Sequence, residues 1–198
     1  FNSGMIKAPI QLYYGNESQI INVFENIKDE DWVFCTWRSH YQCLLKGVPQ
    51  EVLKQDVLSG KSITLCYPEF KIYSSAIVTG SIPISVGAAL DIKRKSSAGH
   101  VWCFVGDGIE DTGHFAEAVR YVDGWDLPVT FVIEDDGMAV NASKKSRWGK
   151  DEDIQWPPCV IRYHYTKTRP HIRTGNFAPL DVMKSVMKTD EEYFPLLE

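Results

Sequence analysis

Two aspartates carry the chemistry that this sequence can do. Asp107 sits in Val105-Gly106-Asp107-Gly108-Ile109-Glu110-Asp111-Thr112-Gly113, directly after an apolar run and with glycine on both sides. Glycine lets a backbone turn sharply and come close to a ligand, so the Asp107 carboxylate is presented at the end of that run. A hard cation such as magnesium takes oxygen ligands, often one or two carboxylates together with substrate phosphates. The helix that follows can direct backbone N–H groups at a phosphate. Alone, Gly-Asp-Gly reads equally as a turn with a helix-capping aspartate. However, a second apolar run ends in Ile133-Glu134-Asp135-Asp136-Gly137-Met138, and Asp136 lies 29 residues after Asp107. One helix and one strand fit between them, so both side chains can reach the same sheet end. Two oxygen ligands on neighbouring strand ends make a magnesium site for a bound diphosphate. The alternative for Asp135-Asp136-Gly137 is an exposed turn, which Asp and Gly favour. No lysine is seen beside Asp107 or Asp136 to hold a diphosphate without metal, so magnesium is expected to be an absolute co-requirement.

The elements that must position these residues follow from periodicity. Gln19–Ile27, Pro49–Leu58, Ile82–Leu90 and Thr112–Val122 read as helices, the third rich in small residues as a tightly packed helix would be. His100–Val105 and Val129–Ile133 read as buried strands and Pro158–Tyr165 as an alternating one. Strands separated by helical patterns imply parallel β-α-β units, an α/β fold with a parallel sheet flanked by helices on both faces. Such sheets bind ligands at the carboxyl ends of their strands.

The chain has 198 residues, 44% of them apolar and 24% charged, enough to bury a core without staples. The net charge of -5 argues against a general nucleic-acid binder. No apolar run approaches the roughly 18 residues of a membrane span, and no basic-then-apolar signal opens the chain. Phe1-Asn2-Ser3-Gly4 stands before Met5 and is set aside as a cloning remnant, which leaves a single domain over residues 5–198. The five cysteines form no CxxC pair and their number is odd, so neither a disulfide framework nor a structural zinc site is expected. Cys103 reads as a small core residue, and a reducing cytoplasm is the expected location.

The stretch from Val105 to Asn141 resembles the alpha subunits of the thiamine diphosphate-dependent decarboxylase components of 2-oxo-acid dehydrogenases. Beyond Gly106-Asp107-Gly108, the similar features are Gly113, Glu117-Ala118, Leu127-Pro128 and Phe131-Val132-Ile133-Glu134. The resemblance implies a thiamine diphosphate-binding fold of transketolase-like type. Asp107, Asp136 and the backbone carbonyl of Met138 would hold magnesium, and Gly108 and Ile109 would lie against the diphosphate. The family normally has Asn at position 136. Thr36-Trp37-Arg38-Ser39-His40 resembles the segment in which an aromatic and an Arg hold the diphosphate and a His lines the active site. Trp37 stands where the family commonly has Tyr, and Tyr41 where it often has Gly. Arg38 could otherwise be a solvated surface ion pair, and His40 a hydrogen-bonded structural histidine. Ala76-Ile77-Val78-Thr79-Gly80-Ser81-Ile82-Pro83 resembles the loop that meets the aminopyrimidine ring through backbone atoms of Ala76 and Val78, and Gly87, Ala88 and Ala89 would let the following helix pack closely. Pro158–Tyr163 resembles a later strand, after which Arg169-Pro170-His171 would supply a second active-site histidine, His171. A helical segment is expected to be missing between residues 141 and 156. His100, His114 and His164 read as structural or exposed, and Pro179–Met187 as a short terminal helix.

In that family the thiamine ring stores the electrons released on decarboxylation. The carboxylate that activates it comes from a second domain or a partner. Nothing resembling that domain is found here. A beta-type partner carrying the pyrimidine-binding domain is therefore expected, with a lipoyl acyltransferase as a further associate. The resulting hetero-oligomer would be replaced by a homo-oligomer when the chain is alone. Should the needed carboxylate lie within this chain, Glu110 is the nearest candidate by position. Two other readings stay open: the diphosphate-binding half of a split transketolase-like enzyme, and a degenerate paralogue that binds a partner without catalysis. The unusual Asp136 and the missing segment motivate the last.

Overall fold

The computed structural model describes residues 6, 9–12, 14–139 and 142–168, and the backbone of 172–173. In chain order the elements begin with β1 (Ile10–Gln11), α1 (Glu17–Phe24), β2 (Trp32–Cys35), α2 (His40–Leu45), α3 (Gln50–Leu58), β3 (Cys66–Tyr67) and β4 (Ile72–Ser74). They continue with α4 (Ser81–Lys95), β5 (Val101–Gly106), α5 (Asp107–Glu110), α6 (Gly113–Gly124) and β6 (Val129–Asp135). Last come β7 (Met138–Ala139), β8 (Ala142–Ser143), α7 (Lys144–Trp148), β9 (Val160–His164) and β10 (Ile172–Arg173).

Six strands form one sheet in the order β3-β4-β2-β5-β6-β9. Every pairing is parallel except β3 with β4, which is antiparallel, so the expectation of a parallel sheet holds for all but that edge. The centre is β5 beside β6, where Val101 pairs with Val129 and Gly106 with Glu134. Both strands are apolar along their length because each face of the sheet is covered. On one face Cys103, Val105, Phe131 and Ile133 pack with Ala89 of α4 and with Phe115, Val119 and Val122 of α6. On the other, Phe104 and Val132 meet Ile20 of α1, Cys43 of α2 and Leu53 of α3. The helices thus lie on both faces, as expected, and Cys103 is fully buried. All five cysteines are free thiols. Among the described residues no helix is long and apolar enough to cross a membrane.

Three short strands, β2, β3 and β4, were not anticipated, because two to four residues are too few to show a period. α7 lies within the stretch expected to be shortened. The stretch between residues 141 and 156 holds a five-residue helix, started by Ser143 Oγ accepting from Ser146 N–H at 3.1 Å and ended by Gly149 at φ 71°. Gly87 also departs from the reading: a side chain there would meet nothing within 4 Å. The close packing of α4 rests instead on buried Ser85 and Ala89. Residues 1–4, Asn141, His171 and the terminal helix expected at Pro179–Met187 lie outside the described residues.

Candidate functional site

The parallel strands all run toward one sheet edge, and the residues singled out by sequence fall on the loops that leave it. Thr36 to Ser39 follow β2, Ser75 to Gly80 follow β4, Asp107 opens the turn after β5, and Asp136 follows β6.

The turn at Asp107 is tight for a steric reason. A Cβ on Gly106 would stand 3.2 Å from Arg38 Nη2, and one on Gly108 would stand 2.5 Å from Ala139 Cβ. The two glycines therefore let the loop after β2 and the β7–β8 hairpin close on Asp107, whose side chain is 3% exposed. Burial pushes the Asp107 carboxyl up to about 6, and the nearby Asp135 and Asp136 carboxylates push the same way, while Arg147 works against them. This confirms that Asp107 and Asp136 share a neighbourhood. Asp136 folds its own loop back, its Oδ1 accepting from Met138 N–H at 3.0 Å.

Cations already stand at both aspartates. Arg147 Nη2 lies 3.4 Å from Asp107 Oδ2 and 3.1 Å from Asp111 Oδ2, and Lys167 Nζ lies 3.1 Å from Asp136 Oδ2. The expectation that no lysine attends these carboxylates is thus overturned. Lys167 lies 31 residues beyond Asp136, and the end of β9 brings it back. Arg38 also belongs to the cluster. Burial lowers its pKa, whereas Tyr165, Asp136 and Asp107 favour its charged form, so it is no solvated surface ion pair. Its guanidinium lies 5.7 Å from the centre of the Trp37 ring.

Several buried polar atoms at this edge have no hydrogen-bond partner among the described residues: Thr36 Oγ1, Trp37 Nε1 and His40 Nδ1 after β2, and Arg147 Nε and Nη1 on α7. Buried polar groups are nearly always satisfied, so five such atoms around one strand end are what a polar ligand would complete. His40 opens α2 with Nε2 on Ser62 Oγ at 2.9 Å. Burial lowers its pKa to about 4, so the ring is neutral at pH 7. Ala76 is half-buried, while Ile77 and Val78 are 73% and 53% exposed. The backbone directly after them is turned by Thr79 at φ 66°.

Beside this edge lies a second cluster that the sequence reading missed. Lys144 and Arg162 both bond the buried Asp135, and Lys144 also reaches Asp153 at 2.6 Å. Asp135, Asp153 and His164 come close enough to share a cation, but Lys144 and Arg162 already supply that charge. Glu110 accepts from Arg162 Nη1 at 2.9 Å and from Trp156 Nε1 at 3.0 Å. It is a structural counter-ion and not a spare carboxylate. Within the core, buried Glu134 accepts from the Tyr163 hydroxyl at 2.6 Å, and burial pushes its carboxyl well up despite that bond.

Fold and site together define a doubly wound α/β protein with a mixed guanidinium–carboxylate site at the carboxyl edge of its sheet. The chain belongs to the dehydrogenase E1 component family, which matches residues 2–152. It is 29% identical over 148 residues to the alpha subunit of the acetoin:2,6-dichlorophenolindophenol oxidoreductase of Bacillus subtilis (strain 168), covering 69% of this chain and 44% of that one. The Cupriavidus necator protein of the same name is 28% identical over 154 residues, with 73% and 46% covered. The pyruvate dehydrogenase E1 component alpha subunit of Porphyra purpurea is 26% identical over 157 residues, with 71% and 46% covered. The chain thus spans somewhat less than half the length of these relatives. Among solved structures, a thiamin diphosphate-dependent enzyme from Mycobacterium smegmatis is similar at a TM-score of 0.47 and 17% identity, over 68% of this chain and 23% of that one.

Proposed function

We propose that this chain is the cofactor-anchoring part of an alpha-type subunit of a thiamine diphosphate-dependent dehydrogenase. It would bind the diphosphate through magnesium at the carboxyl edge of the sheet and act with a beta-type partner. The observation that carries the reading is the pair Asp107 and Asp136 on neighbouring strand ends, with Arg38 alongside and unsatisfied polar atoms around them. The donor set fits a divalent cation: Asp107 and Asp136 bring carboxylate oxygens to the same sheet edge, and a hard cation takes oxygen ligands. Asp107 and Asp136 would hold the metal, with the Met138 carbonyl as a third oxygen. Arg38 would grip the phosphates, since its fork of donors suits phosphate oxygens. Trp37 would hold the Arg38 plane, and Gly108 and Ile109 would bring backbone up to the diphosphate. The loop at Ala76 and Val78 would present backbone to the rest of the cofactor. His40, neutral and held by Ser62, would position rather than carry a proton. When bound, the cofactor supplies a carbanion that attacks a carbonyl and an electron sink for the bond that breaks.

The substrate class is a 2-oxo acid or a 2-hydroxyketone such as acetoin, and the names of the relatives support both. Exposed Ile77, Val78 and Ile84 beside the site support an apolar partner surface there. Calorimetric titration of thiamine diphosphate, with partner and with or without magnesium, tests the reading. Binding that needs the metal is expected. Equal affinity in both conditions would remove the metal bridge, and no binding in either would end the proposal.

A further inference from the structure

The proposed site contains a second guanidinium that the sequence reading did not single out. We propose that Arg147 is a diphosphate-binding residue, turning from Asp107 onto the phosphates when a metal ion takes that carboxylate. The inference rests on the function proposed above.

Its geometry is specific. Arg38 Nη2 stands 3.2 Å from the position of a Cβ on Gly106, and Arg147 Nη1 stands 3.5 Å from that of a Cβ on Gly108. Each guanidinium group therefore lies against one of the two glycines that bracket Asp107. A planar fork of N–H donors is the group best shaped for phosphate oxygens. Arg147 is poorly used where it is. Among the described residues only Nη2 faces carboxylates, at 3.4 Å from Asp107 and 3.1 Å from Asp111, while buried Nε and Nη1 have no hydrogen-bond partner there. A structural ion pair would be expected to use more of the fork. The side chain is also held in place from behind. Lys144, three residues earlier on α7, is fixed to Asp135 and Asp153, which pins the helix to the end of β6 and leaves Arg147 to reach over the turn. A divalent cation on Asp107 would repel Nη2 and free the guanidinium for an anion.

This predicts effects of opposite sign, which a merely structural arginine would not give. Inorganic pyrophosphate and thiamine diphosphate are titrated calorimetrically, with magnesium, into the full chain and into Arg147→Met and Arg147→Lys. Manganese alone is titrated in parallel and read by electron paramagnetic resonance. In Arg147→Met, pyrophosphate and thiamine diphosphate should both weaken about tenfold or more, the loss of one charge-assisted pair. Manganese should bind several-fold tighter, because the competing cation is gone. Arg147→Lys keeps the charge without the fork and should fall between. It also serves if Arg147→Met fails to fold. Unchanged pyrophosphate affinity in either variant, or weaker binding of both metal and pyrophosphate, would overturn the role given to Arg147 while leaving the proposed function standing. Absence of pyrophosphate and thiamine diphosphate binding by the unaltered chain would overturn both.

Discussion

Asp107 should weaken the fold that it equips for binding, and Asp107→Asn makes this measurable. The carboxyl is raised from an ordinary 3.8 to about 6 by burial first and by Asp135 and Asp136 second, with Arg147 already counted against them. The folded chain therefore holds this proton more tightly than the unfolded chain. Stability from the group is highest below 3.8, falls as pH rises toward 6, and at pH 7 the ionised form costs roughly 3 kcal/mol. Asparagine imitates the protonated form at every pH. The variant should thus melt higher than the unaltered chain at pH 7, by roughly 5–10 °C for a domain of this size. The gap should close as pH falls through 6 toward 4. His40 sharpens the comparison because its burial lowers its pKa to about 4. That group costs stability as pH falls from 6.5, so in the unaltered chain the two slopes partly cancel, and in the variant the acid sensitivity of His40 is unmasked. Calorimetric melts at pH 7, 6 and 4.5 decide the matter. A lower melting temperature for Asp107→Asn at pH 7, or a gap that does not depend on pH, would refute the claim that burial makes the ionised Asp107 carboxylate costly.

Three other outcomes follow from the same geometry. Asp136→Asn should retain thiamine diphosphate binding with magnesium, because one oxygen ligand remains and Lys167 is left to the anion; loss of binding in calorimetry would show that the Asp136–Lys167 pair itself holds the site open. The isolated chain should give no turnover of pyruvate, branched 2-oxo acids or acetoin with a dye acceptor, and activity should appear only with a beta-type partner; substantial turnover alone would mean that this chain supplies the activating carboxylate. Arg162→Met should destabilise the chain by about 3–5 kcal/mol, since it leaves Asp135 and Glu110 buried without their shared partner; denaturant unfolding near that of the unaltered chain would show that Lys144 compensates.

The central part of the fold was legible because its signals are local. The largely apolar strands β5 and β6, of six and seven residues and each leading into an acid–glycine turn, place Asp107 and Asp136 without any knowledge of the partners in space. The strands β2, β3 and β4 were not legible, since two to four residues carry no period. Nor were the cations legible. Arg147 lies 40 residues beyond Asp107 and Lys167 31 beyond Asp136 in sequence, and they reach these carboxylates only because α7 folds back over the turn and β9 runs parallel to β6. Counter-ions of this kind are set by tertiary approach, and spacing cannot reveal them. His40 is a similar case: its residue type left an active-site group and a hydrogen-bonded structural histidine open, and only tertiary approach sets its Nε2 on Ser62 Oγ at 2.9 Å.

These missing cations bear on whether the site is degenerate. An aspartate at position 136, where the family resemblance leads one to expect asparagine, adds a negative charge next to an anionic ligand, and at an effective dielectric of about 20 a unit charge pair ~4 Å apart is worth roughly 4 kcal/mol before screening. A chain that had merely lost its function would have no reason to offset that charge. Here Lys167 Nζ stands 3.1 Å from Asp136 Oδ2, so the change of residue and its counter-ion occur together. Within the shortened stretch, α7 carries both the anchor Lys144 and the guanidinium of Arg147. The unusual acid at the strand end is thus matched by base from the segments that follow. The double change Asp136→Asn with Lys167→Met should accordingly bind thiamine diphosphate more nearly like the unaltered chain than Lys167→Met does alone.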